Sequence, residues 1–300
     1  MLYFGPINTN GKEMYNIIMF AYNEQNNISN SLKSVYKNKS TSLKSVYLIA
    51  NGCTDKTVEC AEQLKNALDF SELNIINIRM GDKCNAWNHY MHDLADGVDC
   101  HFFIDADVNF SKNCFELMHD KLINSANAEV AIAGLPLSGR NIDFYRNLVV
   151  ERACFFGNLY GLSHQFITRI RETNFHLPIG LNWIDSFLTK AVNTDIQFFN
   201  YNLPNRVTYI NNVGYSFESL SPFKQADIKL YLNRIARYEL GKLQETHLDA
   251  LHVANWPKDM KQINKNIDEQ FTQETKSLSI FKRFLVRRRL TKLLNQYAQP

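Results

Sequence analysis

His101-Phe102-Phe103-Ile104-Asp105-Ala106-Asp107 is the stretch whose reading decides the fold. Its first four residues suit a strand covered on both faces, since a short apolar run bounded by polar segments leaves no face for water. Aspartate is a poor strand residue, so the strand is expected to stop near Asp105. Two carboxylates separated by one small residue then stand at the carboxyl end of a central strand, where open α/β sheets bind their ligands. Such a pair can hold a hard divalent cation, and the cation can hold a diphosphate. Taken alone, the same residues equally fit a polar strand end with two exposed aspartates.

The preceding hundred residues repeat one pattern. Residues 16–22 (NIIMFAY) predict a buried strand ending at Asn23-Glu24, followed by a helix with Ile28, Leu32, Val35 and Tyr36 at helical spacing. Residues 46–50 (VYLIA) predict a second strand, broken by Asn51-Gly52-Cys53-Thr54-Asp55. Thr54 or Asp55 can cap the next helix, whose apolar side carries Val58, Ala61, Leu64 and Leu68. Residues 74–79 (NIINIR) form a third strand, and Gly81-Asp82-Lys83 turns into a helix with Trp87, Tyr90, Met91 and Leu94. The carboxylate strand is the fourth. Strands alternating with helices at this interval imply crossover units and a mostly parallel sheet flanked by helices. Its strand ends share one edge, where helix N-termini also open and favour anions.

The whole chain sets few other bounds. Three hundred residues with 45% hydrophobic and 21% charged content fit one large α/β domain or a domain with appendages. A net charge of +3 names no acidic partner, and nucleic acid is not expected. The six cysteines form no Cys-x-x-Cys pair and no zinc-finger spacing, which suits reduced thiols in a cytosol. The first fourteen residues lack the basic flank and apolar core of a signal peptide, and no apolar run reaches the length of a membrane span. The expectation is a cytoplasmic protein, or one resting on the inner face of a membrane.

The ordered set Ala21-Tyr22-Asn23-Glu24, Asn51-Gly52-Cys53-Thr54-Asp55, Lys83-Cys84-Asn85-Ala86-Trp87-Asn88 and Asp105-Ala106-Asp107 resembles the inverting nucleotide-sugar glycosyltransferases of family 2, which have the Rossmann-like GT-A fold. The resemblance implies a nucleotide site with Tyr22 and Glu24 near base and ribose, Asn51 on the base edge and Lys83 near the phosphates or sugar. Asn23, Asp55 and Asn88 belong to the same donor-facing motifs. Asp105 and Asp107 would meet Mn²⁺ or Mg²⁺, with Asp105 also at the donor. The family usually has Asp where Asn51 stands. Asp only accepts, whereas Asn donates and accepts, so the choice of base is open, with uridine favoured. Tyr22 could instead be core packing, and Lys83 a solvated turn.

In the second half, residues 129–135 predict a fifth strand, and residues 141–166, rich in aromatics, predict helix. His164 in that stretch reads as a structural histidine. Residues 177–188 (LPIGLNWIDSFL) lead through a Pro/Gly loop into a helix with Asp185 in its first turn. An acidic residue there suits the helix dipole. The resemblance gives it a second role, the general base that deprotonates the acceptor, although Ile184 replaces the family's first acidic residue. Further on, Arg234 and Arg237 lie three apart and share a helical face with Tyr238 nearby. Arg-Ile-Ala-Arg-Tyr is similar to the Gln/Arg-x-x-Arg-Trp signature of synthase-type members, which implies a grip on the leaving diphosphate. A solvated basic face is the alternative. Residues 276–294 form a basic amphipathic segment that either lies on an anionic membrane or docks on the domain with its basic side in water.

The resemblance therefore implies a GT-A domain over residues 1–245, with a nucleotide half at 14–125 and an acceptor half at 126–245. A basic helical extension over 246–300 follows. The expected activity moves a sugar from a nucleoside diphosphate sugar to the hydroxyl of a glycan or lipid-linked acceptor, as in bacterial surface glycan or glycolipid synthesis. Two other classes fit parts of the pattern. A sugar nucleotidylyltransferase would carry a Gly-rich basic loop after the first strand, which Ala21-Tyr22-Asn23-Glu24 is not. A non-catalytic nucleotide-sugar binding module would need neither Asp185 nor the arginines.

Overall fold

The computed structural model describes residues 13–126, 128–139, 141–217 and 221–297. Most of the initial segment read above as lacking a signal peptide lies outside the described residues. Strand β1 (Tyr15–Ala21) is buried at all seven positions. Its alternation explains the unbroken apolar sequence. Ile18 and Phe20 enter one core with Trp87 and Phe103, while Ile17 and Met19 enter the opposite one with Leu48 and Phe102.

Strands β2 (Leu43–Asn51), β3 (Leu73–Ile78) and β4 (Cys100–Asp105) join β1 in parallel, in the order β3-β2-β1-β4. Helices α1 (Ile28–Lys37), α2 (Thr57–Ala67) and α3 (Lys83–His89) make the crossovers, α3 running on into one wider turn over Tyr90–Leu94. In register, Phe20 stands opposite Asp105, Ala21 opposite Ala50, and Asn51 opposite Ile78. The polar ends of all four strands therefore lie along one edge.

Past Asp107 the topology changes. In order come β5 (Val108–Phe110), α4 (Cys114–Ile123), β6 (Ala131–Pro136), α5 (Ile142–Arg152), β7 (Leu159–Ser163), α6 (His164–Glu172), α7 (Ile184–Asn193) and β8 (Val207–Phe217). The eight described strands form one sheet, β3-β2-β1-β4-β7-β6-β8-β5. β7 runs antiparallel to both β4 and β6, and β5 antiparallel to β8. Residues 141–166 are thus not one helical region: α5 covers their first part, and β7 is inserted into the sheet beside the carboxylate strand. Gly161 makes that insertion possible, because a Cβ there would stand 2.8 Å from the Phe102 ring. The fifth predicted strand corresponds to β6, and β5 and β8 are additional.

Helices α8 (Gln225–Asp249), α9 (Lys261–Glu269), α10 (Phe271–Glu274) and α11 (Ile280–Tyr297) complete the chain. The expected boundary at residue 245 falls inside α8. Leu248, Met260, Ile267, Val286 and Leu290 are buried in the same core as Trp87 and Phe187, so the described residues 248–297 are a layer packed on that core. That docks α11 on the fold. No described helix is long and apolar enough to cross a membrane, and all six cysteines are free thiols.

Candidate active site

The edge is built by turns that hold one another. Gly52 is in the left-handed region (φ +67°), and a Cβ there would stand 2.6 Å from the Gly81 backbone. The loop after β2 therefore touches the loop before α3. Asn51 is buried, and its Oδ1 accepts a 2.9 Å bond from the Asp82 N–H. Asp82 caps α3, accepting from the Asn85 N–H at 3.0 Å through Oδ1. Its Oδ2 accepts from the Gly180 N–H at 2.9 Å, which ties the donor edge to the loop leading to Asp185. Burial raises the Asp82 carboxyl above its ordinary range, against the hydrogen bonds from Asn85 and Gly180.

Several expected donor residues serve this scaffold. Asn23 has φ 56° and its Oδ1 accepts from the Thr54 N–H at 2.8 Å. Asp55 accepts from the Gln25 N–H at 3.1 Å and from both groups of Thr57. Tyr22 is not core packing: it is 57% exposed, with its ring over Gly81, 3.2 Å from where a Cβ would be. Glu24 lies deeper, accepting from the Asn27 side chain at 2.8 Å. Burial, followed by the repulsion of Asp107, Asp105 and Asp55, lifts its carboxyl to about 7. Asn88 is not brought to this edge. Its side-chain amide bonds both the N–H and the C=O of Leu177, at 2.9 and 2.8 Å, and so braces the second loop from below.

Lys83, the first residue of α3, reaches across to Asp105 with Nζ–Oδ1 2.6 Å. Burial alone would lower its ammonium, but the Asp105 and Asp185 carboxylates outweigh this and hold it above its ordinary range. Asp185 sits in the first turn of α7, as expected. Burial raises its carboxyl; Lys83, the Gly157 N–H and Arg237 pull the other way. Gly157 passes so close that a Cβ there would stand 2.8 Å from Asp185 Oδ1 and 3.0 Å from Lys83 Nζ. Asp105, Lys83, Gly157 and Asp185 therefore form one contiguous cluster.

The arginines of α8 act on the same cluster through their charge. The field of Arg237 acts on Lys83 and Asp185, and that of Arg234 on Asp107. Gly241 allows α8 to lie against Trp183, since a Cβ there would stand 2.4 Å from the Trp183 Cβ. The Trp183 and Tyr238 rings are 5.9 Å apart, and Tyr238 feels the charge of Asp185. The Asp107 carboxyl is raised by the surrounding protein and then by Asp105, against Lys83 and Arg234.

Residues that sequence patterns did not single out hold this arrangement. Asp82 is one, detectable as an Asp three residues before Asn85 at a helix start. Gly157 is another, with no local signal beyond being a glycine among aromatics. The third is a side-chain network in which the Asn182 N–H and Nδ2 both donate to Gln244 Oε1, at 2.9 and 3.1 Å. Gln244 Nε2 donates to Asn264 at 2.9 Å, and Arg289 of α11 donates to Asn182 Oδ1.

A mixed α/β sheet with a carboxylate pair at its edge, and Asp185 opening α7 beside that pair, has GT-A architecture. The chain belongs to glycosyl transferase family 2, whose family model matches residues 16–184. Glycosyl transfer from a nucleotide sugar is the coarse activity that comes with the family. Among solved structures, a mannosyltransferase from Pyrobaculum calidifontis in complex with GDP-mannose and Mn²⁺ is similar with a TM-score of 0.59 and 16% identity, over 97% of this chain and 77% of its own. TarS of S. aureus, residues 1–349, is similar with a TM-score of 0.51 and 14% identity, over 89% and 75%. No curated protein sequence matches the chain. At these identities the likeness concerns the fold.

Proposed function

We propose that the chain is an inverting, metal-assisted glycosyltransferase that moves a sugar from a UDP-sugar to the hydroxyl of a glycan or lipid-linked acceptor, in the building of bacterial surface glycans. The observation that carries this is the single cluster of Asp105, Lys83, Gly157 and Asp185 facing the two arginines of α8. The residues fit a divalent cation. Glu24 and Asp107 are both held above the ordinary carboxylate range by burial and by like charge nearby, a penalty that a cation removes. Among the described residues no group of three or more His, Cys, Asp or Glu is arranged to hold an ion alone. Asp105 and Asp107 would hold Mn²⁺ or Mg²⁺, with donor oxygens and water supplying the other ligands.

When bound, the metal neutralises charge developing on the diphosphate. Arg234 and Arg237 add fixed positive charge on the same side, in a fork geometry suited to phosphate oxygens. Lys83 stays protonated between two carboxylates and donates toward the sugar or phosphate. Asn51 has its carbonyl oxygen engaged by the Asp82 N–H, which leaves its amide donor for a carbonyl acceptor of a uracil ring. Asp185, kept basic by burial and oriented by the Gly157 N–H, accepts the acceptor hydroxyl's proton. Attack from the face opposite the departing diphosphate needs that one base and no protein nucleophile, which gives inversion. Trp183, Tyr238 and Tyr145 supply aromatic surface for a saccharide beside it.

The test is a thermal-shift screen of UDP-, GDP- and dTDP-sugars with and without Mn²⁺, since a ligand for the folded state alone raises its apparent stability. A Mn²⁺-dependent shift with a UDP-sugar is expected. No metal-dependent shift with any of them at millimolar concentration would overturn the proposal.

A further inference from the structure

The face of α11 turned away from the core carries large apolar side chains among its basic ones. Leu285, Val286 and Leu290 dock inward, while Phe281, Phe284 and Ile280 point to solvent, the last two 61% and 85% exposed. The ion pair of Lys282 Nζ with Glu239 Oε1, at 2.5 Å, sets the first turns of α11 beside the middle of α8. Between two and three turns before Glu239 on α8 stand Tyr231 and Leu230, and just before the helix Phe223, all exposed, Phe223 by 94%. Two adjoining helices thus present large apolar side chains to solvent.

Charge says what covers them. From Thr275 to the last residue there are seven Lys or Arg and no Asp or Glu. Some of these have acidic partners, Lys282 with Glu239 and Arg287 with Asp268. Arg283 donates to the carbonyl oxygens of Thr275, Lys276 and Leu278, so its charge is not cancelled by an acid there. Arg288, Lys276 and Lys292 are exposed on or beside the same helix, and Lys224 and Lys229 are exposed among the apolar residues of α8. Exposed phenylalanines interleaved with lysine and arginine on a surface helix are the composition that settles into the interface of an anionic bilayer. A protein partner would need an acidic apolar groove to match; a lipid surface supplies both features in one plane.

We propose that the α8/α11 face, centred on Phe281 and Phe284, is a docking surface for anionic lipid headgroups. The docking does not depend on the chemistry of the cleft. Its consequence does rest on the glycosyl-transfer reading: α8 carries Arg234 one turn beyond Leu230 and Tyr231, so docking sets the donor cleft beside the membrane, where a lipid-linked acceptor resides.

Vesicle flotation of the full chain tests the surface, using phosphatidylcholine alone and phosphatidylcholine with phosphatidylglycerol. The expected result is binding only to the anionic vesicles, weakened by salt, and reduced at least tenfold in a Phe281→Ser/Phe284→Ser double variant whose melting temperature matches that of the parent. Neither residue belongs to the donor site, so the metal-dependent thermal shift with a nucleotide sugar should be unchanged in the variant. No binding to anionic vesicles, or equal binding by the double variant, overturns the proposal. So does a concentration-dependent dimer that the double substitution abolishes, which would assign the face to a second copy of the chain.

Discussion

The Gly157 backbone lies against the Asp185 carboxylate so closely that no side chain fits between them: a Cβ would stand 2.8 Å from Oδ1. The same Cβ would stand 3.0 Å from Lys83 Nζ. A loop glycine thus sets the spacing between the base candidate on α7 and the lysine that pairs with the strand carboxylate.

Gly157→Ala tests that spacing. Gly157 is not in the left-handed region, so its backbone tolerates alanine and the contact alone is disturbed. Displacement of a reacting group by about 1 Å can cost roughly 100-fold in rate. Turnover should fall at least tenfold in steady-state assays, while the thermal shift produced by donor and Mn²⁺ persists. Unchanged turnover would mean that Asp185 does not work in the position seen.

Arg289 tests the coupling between α11 and the base loop. It donates to Asn182, whose backbone and side chain both rest on Gln244, three residues before Asp185. Arg289→Ala leaves a half-buried acceptor without its charged donor, which costs about 1–2 kcal/mol at such a site. The melting temperature should drop by a few degrees, and kcat should fall more than donor affinity, with Arg289→Lys recovering part of both. An effect on stability alone would limit Arg289 to holding the helix.

His101 predicts a pH dependence of stability. It is buried, with Nδ1 2.7 Å from the Tyr90 hydroxyl, which also meets the Asn16 side chain. Burial, with the nearby charge of His164 adding to it, lowers its pKa to about 3. The unfolded chain takes up a proton near pH 6.5 that the folded chain refuses, so stability falls as pH drops from about 6.5 toward 3. At pH 5 this amounts to about 2 kcal/mol relative to pH 7.5. Glu24, raised to about 7, contributes with the opposite sign over the same range, so the reading is the comparison of the two proteins: denaturant unfolding at both pH values should show the parent losing about 2 kcal/mol more than His101→Asn on acidification. An equal difference in the variant would place the titrating group elsewhere.

How much of this was legible in the sequence follows from where each residue's constraint lies. β1 and β4 are buried along their length, β2 over its last four residues, and β3 is a half-buried edge strand; all four are separated by helices of their own spacing, so each is readable from a short window, and their polar ends came with them. β7 was not, because Phe155 to Phe166 carries aromatics at both helical and strand intervals. What decides between them is Gly161 facing Phe102, a contact between residues 59 positions apart. Asp105, Lys83 and Asp185 were nameable through motif order. Their cohesion was not, since it rests on Gly157 and on Asp82 bonding Gly180, neither of which has a local pattern. Asn88 shows the opposite failure: a motif position whose amide the fold turns to Leu177.

Donor binding and turnover measured side by side in Asp185→Asn and Asp107→Asn test the central division of labour most directly. Asp185→Asn should bind a UDP-sugar with Mn²⁺ as the parent does and lose roughly 100-fold or more in transfer, whereas Asp107→Asn should lose the metal-dependent binding itself. Normal transfer by Asp185→Asn, or metal-dependent binding retained by Asp107→Asn, would contradict the assignment of base and cation site made from this cleft.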